Sequence, residues 1–250
     1  MLEVRNLVKR YGPIEAVKDV SFKVEKGEVL GFLGPNGAGK TTTMRMITGF
    51  LPPTSGSASI GGHDILKSPV EAKRLIGYLP ENAPAYDSML VIDFLKFIAK
   101  VRGLSAAQCK TAVESAISKC RLEEVARRAI GNLSKGYRGR VGFAQAILHD
   151  PPVLIMDEPT DGLDPNQKHT VRLMIQDMAA EKAIIVSTHI LEEVDAVCTR
   201  AIIISRGQIV ANGTPEELKA KSPKHELTDV FRMLTLGSES RESTTEGEAA

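Results

Sequence analysis

The sequence predicts an α/β fold, and two patterns in its 250 residues carry that prediction. Short continuous apolar runs, several of them rich in Ile and Val, recur along the chain, and such runs are typical of parallel strands that are buried on both faces. Between two of these runs lies a long stretch in which apolar residues repeat at helical spacing instead. The apolar runs cover residues 29–33, 76–79, 153–156, 183–186 and 201–204.

The N-terminal segment has a different pattern from the apolar runs. Polar and apolar residues alternate over short stretches of residues 2–26, for example through Val20, Phe22 and Val24. Alternation with a period of two is typical of strands that expose one face to water. The segment therefore predicts antiparallel strands beside the parallel core.

Residues 86–150 predict a helical insertion. Apolar residues repeat at helical spacing through positions 94–101, and Gly103 is expected to end this helix. Ser105 followed by Gln108 forms a capping-box pattern, in which each residue satisfies a backbone N–H of the first turn. This pattern predicts the start of a second helix.

The C-terminal part of the chain predicts a hairpin around residues 205–208 and a helix that begins at Thr214 and is capped with Glu217. A last helix is expected over residues 227–236. Residues 237–250 contain no large apolar side chain, so we expect them to be disordered. The predicted division is a nucleotide-binding core of residues 1–85 and 151–220, a helical subdomain of residues 86–150, a C-terminal helix within residues 221–236, and the tail.

Composition and charge exclude several classes of protein. Hydrophobic residues make up 42% and charged residues 25% of the chain, which matches ordinary globular usage and excludes a wholly disordered or fibrous chain. The 32 Lys and Arg residues against 31 Asp and Glu residues leave a net charge of +1, so no overall basic surface predicts a nucleic-acid partner. The longest apolar runs are far shorter than the roughly 20 residues that cross a bilayer.

The cysteines and the N-terminus predict a cytosolic location. Residues 1–6 contain no apolar signal stretch, and the three cysteines are an odd number without metal-type spacing. We expect reduced thiols, and we expect Cys109 and Cys120 to be small core residues rather than redox sensors.

Residues 34–41 match the phosphate-loop pattern of Gly, four residues, Gly-Lys and Ser or Thr. The glycines allow backbone N–H groups to point at phosphate oxygens, and the helix expected from Lys40 to Gly49 adds the positive end of its dipole. Lys40 is expected to reach the β and γ phosphates, and the Thr41 hydroxyl to ligate Mg²⁺. The alternative is a plain Gly-rich turn, which the strand-loop-helix context disfavours. The candidate phosphate-binding residues are Gly34, Pro35, Asn36, Gly37, Ala38, Gly39, Lys40, Thr41 and Thr42.

Two adjacent carboxylates, Asp157 and Glu158, follow the apolar run of residues 153–156. Carboxylates at the end of a hydrophobic strand are costly unless they face a cation or take part in chemistry. Asp157 is placed to coordinate Mg²⁺ through water, and Glu158 to polarise the water that attacks the γ phosphate. The pattern fits a strand running into a turn equally well, because Pro159 follows.

His189 comes directly after the apolar run of residues 183–186 and the pair Ser187 and Thr188. This puts it at the carboxyl end of a predicted strand, where open α/β sheets bind their ligands. His189 is therefore a candidate sensor of the γ phosphate. The alternative is an ordinary loop histidine. The position of His189 relative to the phosphate loop and the two carboxylates favours the sensor.

With these motifs in this order, the chain resembles the ATP-binding cassette (ABC) family over residues 1–220. Leu-Ser-Lys-Gly-Tyr, beginning at Leu133, occupies the place of the family's signature sequence, usually written LSGGQ. The resemblance implies a P-loop NTPase (RecA-like) core with an antiparallel β subdomain and an α-helical signature subdomain. It also implies adenine stacking by Tyr11, phosphate contacts from Ser134 and Gly136, and a D-loop contact from Asp164. Without the family, Tyr11 is an ordinary strand-end aromatic.

Two departures from the family pattern stand out. Glu81 replaces the usual Gln, and a carboxylate there binds Mg²⁺ more tightly than an amide but adds negative charge beside the γ phosphate. Lys135 and Tyr137 replace Gly and Gln in the signature, whereas Ser134 and Gly136 are kept. Both variations resemble the branch that pairs with export permeases of the bacterial ABC-2 kind, including drug-export and gliding-motility systems.

The resemblance implies an ATPase that acts as the motor subunit of a transporter, most simply an exporter. In this family two cassettes pack head to tail, so the signature of one closes over the ATP bound to the other. The chain is then expected to form a homodimer or to join a paired cassette, and to drive an ABC-2-like permease at the cytoplasmic face of the inner membrane without a nucleic-acid partner. The implied catalytic residues are Lys40, Glu158 and His189; the implied cofactors are ATP and Mg²⁺, with the metal at Thr41, Asp157 and Glu81.

Two other classes of protein stand as alternatives. A soluble cassette ATPase of DNA repair or translation generally has two cassettes in one chain or a long coiled coil, and this sequence has neither. A regulatory module that binds ATP without turnover is disfavoured because Lys40, Asp157, Glu158 and His189 are all present.

Overall fold

The computed structural model describes residues 1–236 and has the predicted α/β architecture. The predicted disordered tail, residues 237–250, lies outside the described residues. No helix within residues 1–236 combines the length and the apolar character that a membrane crossing requires.

The strands are β1 (Leu2–Tyr11), β2 (Ile14–Val24), β3 (Val29–Leu33), β4 (Ser55–Ile60), β5 (His63–Asp64), β6 (Ile76–Leu79), β7 (Val153–Asp157), β8 (Ala183–Thr188), β9 (Arg200–Ser205) and β10 (Gln208–Gly213). The helices are α1 (Lys40–Ile47), α2 (Pro69–Arg74), α3 (Val91–Val101), α4 (Ala106–Lys119), α5 (Lys135–Ile147), α6 (Pro165–Ala179), α7 (Leu191–Val197), α8 (Pro215–Lys219) and α9 (Leu227–Leu236).

The central sheet has the strand order β10-β9-β3-β8-β7-β6. Strands β9, β3, β8, β7 and β6 are parallel, and β10 pairs antiparallel with β9. Every residue of β3, β7 and β8 is buried, which confirms the prediction of strands covered on both faces. The carboxyl ends of these three strands meet at one edge of the sheet, where the chain continues into residues 34–39, Glu158 and His189.

The second sheet is antiparallel, with the order β2-β1-β4-β5, which confirms the prediction for residues 2–26. Its apolar face packs onto α1 and the central sheet. Leu2 and Phe22 from this sheet share one buried cluster with Met44 and Ile47 of α1 and Phe32 of β3. Helix α1 and the loop before it are therefore held between two sheets.

Helices α3, α4 and α5 pack together, and their buried side chains, among them Phe94, Val113 and Phe143, belong to a cluster that continues into β7 and α6. The predicted capping box is confirmed, because Ser105 and Gln108 each accept from the other's backbone N–H. This unit joins the central sheet through a close approach at Gly77 of β6, where a Cβ would lie 2.2 Å from the backbone oxygen of Ala146. Helix α5 consequently lies directly on the edge strand of the sheet.

The three cysteines are free thiols. Cys109 and Cys120 are buried, as predicted. Burial raises the pKa of Cys120 and of Cys198 to about 12, so both thiols are protonated at neutral pH and have little nucleophilic character.

His149 follows α5 and is held neutral by its surroundings. Its Nε2 lies 3.0 Å from the backbone oxygen of Ile76, and because a carbonyl only accepts, Nε2 carries the hydrogen. Its buried Nδ1 has no hydrogen-bond partner among residues 1–236. Burial, helped by the positive charges of Arg102 and Lys182 and opposed by the hydrogen bond to Ile76 and by Asp150, lowers the pKa of His149 to about 4.

The free energy of unfolding is expected to fall by about 2 kcal/mol through His149 as the pH drops from 6.5 to 4. A pKa below its ordinary value favours the neutral ring in the folded chain. The contribution of His149 to the free energy of unfolding is therefore complete above pH 6.5 and is lost progressively as the pH falls from 6.5 to 4. Urea unfolding of the native chain and of His149→Gln, measured at pH 7 and pH 5, checks this. The free energy of unfolding of the variant should decrease less between pH 7 and pH 5 than that of the native chain. Equal decreases would contradict the neutral, buried state assigned to His149.

Candidate active site

The phosphate-loop residues connect β3 to α1 in a conformation that depends on glycine. Gly37 and Gly39 have φ angles of 79° and 103°, in the left-handed region that side chains with a Cβ rarely adopt. At Gly39 a Cβ would also lie 2.6 Å from the backbone oxygen of Ala16, and at Gly34 it would lie 2.5 Å from that of Ile204. The loop is thus packed tightly from behind while its open side faces a cleft.

Lys40, the first residue of α1, folds back over this loop. Its Nζ donates to the backbone oxygen of Gly34 at 2.7 Å and to that of Pro35 at 3.3 Å, and the side chain is 6% exposed. These hydrogen bonds hold the ammonium group of Lys40 at the N-terminus of α1, and the helix dipole adds partial positive charge at the same place. The arrangement is suited to an anion with several oxygens, such as a polyphosphate.

Glu158 lies between Lys40 and His189. One carboxylate oxygen is 3.5 Å from Nζ of Lys40, and the other is 2.9 Å from Nδ1 of His189, which donates to it. The backbone of Glu158 has a φ of 52°, and its N–H donates to the oxygen of Ser187. A left-handed non-glycine residue costs of the order of 1–3 kcal/mol, and here it turns the chain after β7 so that the carboxylate enters the cleft.

Asp157 is the last residue of β7 and is 1% exposed. Its Oδ1 accepts from Oγ of Ser187 at 2.5 Å, whereas its Oδ2 is buried and has no hydrogen-bond partner in the part of the chain that the structure describes. A buried carboxylate oxygen without a partner is costly unless a cation or its water approaches it. Asp157 therefore fits a metal ion shared with the Thr41 hydroxyl, which lines the adjoining cleft.

The residues of this region fit Mg²⁺ in particular. Within residues 1–236 no group of three or more His, Cys, Asp or Glu side chains could enclose a metal by itself. Mg²⁺ typically takes one or two protein oxygens and fills the remaining positions with water and substrate phosphates. A site with Thr41 and Asp157 beside a phosphate loop has that composition.

The cleft has a volume of about 390 Å³ and brings together most of the predicted phosphate-binding and catalytic residues. Gly34, Ala38 and Asp157 are not among its lining residues. A larger cavity of about 540 Å³ lies between α4 and the end of α5, but the charged groups converge in the smaller cleft, so we place the candidate site there. The lining residues of the smaller cleft are Ala16, Pro35, Asn36, Gly37, Gly39, Lys40, Thr41, Thr42, Glu81, Glu158, Asp161 and His189.

The signature residues do not line this cleft. Ser134 is the N-cap of α5, and its Oγ accepts from the N–H of Tyr137. Gly136 is buried against α6, where a Cβ would lie 2.2 Å from Oε1 of Gln167. Asp164 is the N-cap of α6 and accepts from the N–H of Gln167, which gives it a structural role in the single chain.

The two unusual signature residues have partners in their own chain. Nζ of Lys135 lies 3.4 Å from Oδ2 of Asp161. The hydroxyl of Tyr137 lies 3.5 Å from the carboxylate of Glu124, and the guanidinium of Arg140 lies 4.1 Å from the centre of the Tyr137 ring. Such contacts need the longer side chains that this sequence has here.

Tyr11 and Glu81 occupy different surroundings. Tyr11 is 47% exposed at the end of β1, with Nζ of Lys9 at 5.2 Å from its ring centre, and it is not a lining residue of the cleft. Glu81 follows β6 and lines both the cleft and a neighbouring cavity of about 280 Å³, which Asp157 and Glu158 also line.

Sequence reasoning assigned no function to Ala16, Asp161 or Ser187. Ala16 and Asp161 line the cleft, and Ser187 bonds Asp157. Ser187 could have been found from the parallel register, which pairs it with Asp157 across β7 and β8. Ala16 and Asp161 carry no local signal, since their positions depend on how separate segments fold together.

Comparison with known proteins gives consistent results. The sequence profile of the family described as "ABC transporter" matches residues 17–161. The uncharacterized ABC transporter ATP-binding protein YxlF of Bacillus subtilis is 40% identical over 233 residues, which are 93% of this chain and 76% of YxlF. The Nod factor export ATP-binding protein I of Cupriavidus pinatubonensis is 36% identical over 219 residues, which are 87% of this chain and 67% of that protein. A solved structure described as the ATP binding subunit of an ABC transporter has a TM-score of 0.85 at 31% identity, covering 94% of this chain and 99% of that one.

Ser187→Ala is expected to lower the free energy of unfolding by about 1–3 kcal/mol, because it leaves both carboxylate oxygens of Asp157 buried without a partner. Chemical denaturation at pH 7 measures this loss. Ser118→Ala, at an exposed position of α4, is the matched control and should leave stability nearly unchanged. Equal stabilities of the two variants would contradict a structural role for the Ser187 hydroxyl.

Proposed function

Because this chain belongs to the ABC transporter family and is an ATP-hydrolysing cassette, we propose that it is the motor subunit of an exporter and drives a separate membrane permease. One observation carries the proposal: Lys40, Glu158 and His189, which come from three separate segments, meet in one cleft beside the phosphate loop. The name of the similar Nod factor export protein supports the direction of transport.

The cleft residues have separate roles in ATP hydrolysis. The loop N–H groups and the Lys40 ammonium bind the triphosphate and draw negative charge away from the γ phosphate. Glu158 accepts the proton of the attacking water, and His189 orients that carboxylate through its Nδ1–H. Thr41 and Asp157 would hold Mg²⁺, which would supply positive charge to neutralise the phosphates. The products are ADP and inorganic phosphate.

The composite site requires a second cassette. Ser134 and Gly136 are not lining residues of the cleft in their own chain, so a phosphate contact from them has to be made to another copy. A head-to-tail homodimer, or a pair with a related cassette, supplies that contact. ATP binding then favours the closed pair, and hydrolysis removes the shared ligand.

The permease contact is proposed at the segment between Glu81 and α3. Tyr86 and Phe97 are 56% and 41% exposed, and their rings meet edge to face at 5.9 Å. Such an exposed aromatic pair suits a cytoplasmic loop of an ABC-2-like permease, since aromatic side chains are enriched in protein interfaces. The proposed location is the cytoplasmic face of the inner membrane, and residues 86–150 are proposed to move as a subdomain against the core.

Glu158→Gln is expected to lower the rate of phosphate release at least about a hundredfold, because the amide cannot accept the proton. ATP-dependent dimers should accumulate, because the shared ligand is no longer removed. Phosphate release and light scattering with ATP measure the two effects.

Glu181→Gln, at an exposed position outside the cleft, is the matched control for Glu158→Gln. Unchanged turnover in Glu158→Gln would remove Glu158 from its role, and the absence of dimers would contradict the composite site. Stimulation of turnover by nucleic acid would instead favour the DNA-repair or translation alternative.

Glu81→Gln is expected to raise the Mg²⁺ concentration needed for half-maximal hydrolysis several-fold, because an amide oxygen binds Mg²⁺ more weakly than a carboxylate. A Mg²⁺ titration of phosphate release at fixed ATP checks this. Glu71→Gln on α2 is the control. A titration curve identical to that of the native chain would mean that Glu81 points away from the metal.

A further inference from the structure

Lys135 stands at a position that is unfavourable for a positive charge. It is the first residue of α5, directly after the N-cap Ser134, and the first turn of α5 contains no acidic residue. The N-terminus of a helix already carries partial positive charge, so a cation there destabilises the helix. Helix formation does not explain this lysine.

The ammonium of Lys135 is held by a weak and easily exchanged contact. Its Nζ is 3.4 Å from Oδ2 of Asp161, and the two side chains are 65% and 45% exposed. The ammonium also lies against Gly162, where a Cβ would be 2.0 Å from Nζ. Exposed ion pairs contribute about 0–1 kcal/mol, so a stronger anion can take the lysine from Asp161.

The two partners belong to different parts of the proposed reaction. Asp161 lines the cleft together with Lys40, Glu158 and His189 of its own chain. Lys135 is adjacent to Ser134, which in the proposed dimer faces the nucleotide of the other copy. The ion pair therefore connects the cleft of one chain to the residues that act on the second cleft.

We propose that Lys135 exchanges partners when two copies close: it leaves Asp161 of its own chain and contacts the phosphates of the ATP bound to the second copy. This inference rests on the proposed head-to-tail dimer. A lysine ammonium on a flexible stem is a good phosphate ligand as a point charge, and a triphosphate carries more negative charge than one carboxylate. The glycine that the family usually has here cannot make this contact.

The test measures the ATP-dependent dimer in the Glu158→Gln background, where turnover is blocked. Dimer dissociation constants are determined by analytical ultracentrifugation at saturating ATP for this parent, for added Lys135→Gln, for added Asp161→Asn and for both together. Lys135→Gln should weaken the dimer about tenfold and reduce its salt dependence, because one phosphate contact is lost. Lys135→Arg should restore most of the affinity, and Lys110→Gln, an exposed lysine of α4, should leave it unchanged.

The double variant separates partner exchange from a static ion pair. If Lys135 leaves Asp161 on closure, the loss caused by Lys135→Gln is larger in the Asp161→Asn background, because no intrachain bond has to be broken first. A loss that disappears in that background would show that Lys135 acts through Asp161 alone, and would overturn the proposal. A Lys135→Gln dimer as tight as the parent would also overturn it while leaving the composite site intact. A parent that never dimerises with ATP would overturn the proposed function as well.

Discussion

The carboxylate of Glu158, held between the ammonium of Lys40 and the imidazole of His189, is the interaction on which the site depends. It links the chain segments that follow β3, β7 and β8. These strands are parallel neighbours, so their carboxyl ends open at one edge and their charged end residues meet. The strand order thus converts three separate sequence motifs into one cleft.

Burial restricts the orientation of the Asp157 carboxylate beneath the cleft. Apart from their last residues, β7 and β8 are apolar, so Asp157 has few polar neighbours, and its hydrogen bond within the described residues comes from Ser187 on the adjacent strand. The parallel register that pairs Asp157 with Ser187 therefore also orients the carboxylate. A register shift of one residue would turn Asp157 to the opposite face of the sheet.

Helix α5 packs against β6, the edge strand of the same sheet. Gly77 allows α5 to approach β6, and the start of α5 contacts the segment that follows Glu158 through Lys135 and Asp161. The start of α5 and this cleft-lining segment are therefore in direct contact within one chain. This contact is exposed and therefore weak.

The sequence by itself determined the features that depend on neighbouring residues. The phosphate loop, the buried strands, the capping box at Ser105 and the hairpin at residues 205–208 each have a local pattern, and the structure contains all four. Strand β4 escaped prediction because its Ser- and Gly-rich sequence lacks alternation, and it becomes a strand by pairing with β1. The cleft positions of Ala16 and Asp161, and the exposed position of Tyr11 outside it, were decided by tertiary structure. Their surroundings come from segments distant in the chain, and which segments meet depends on strand order and packing, which no local pattern encodes.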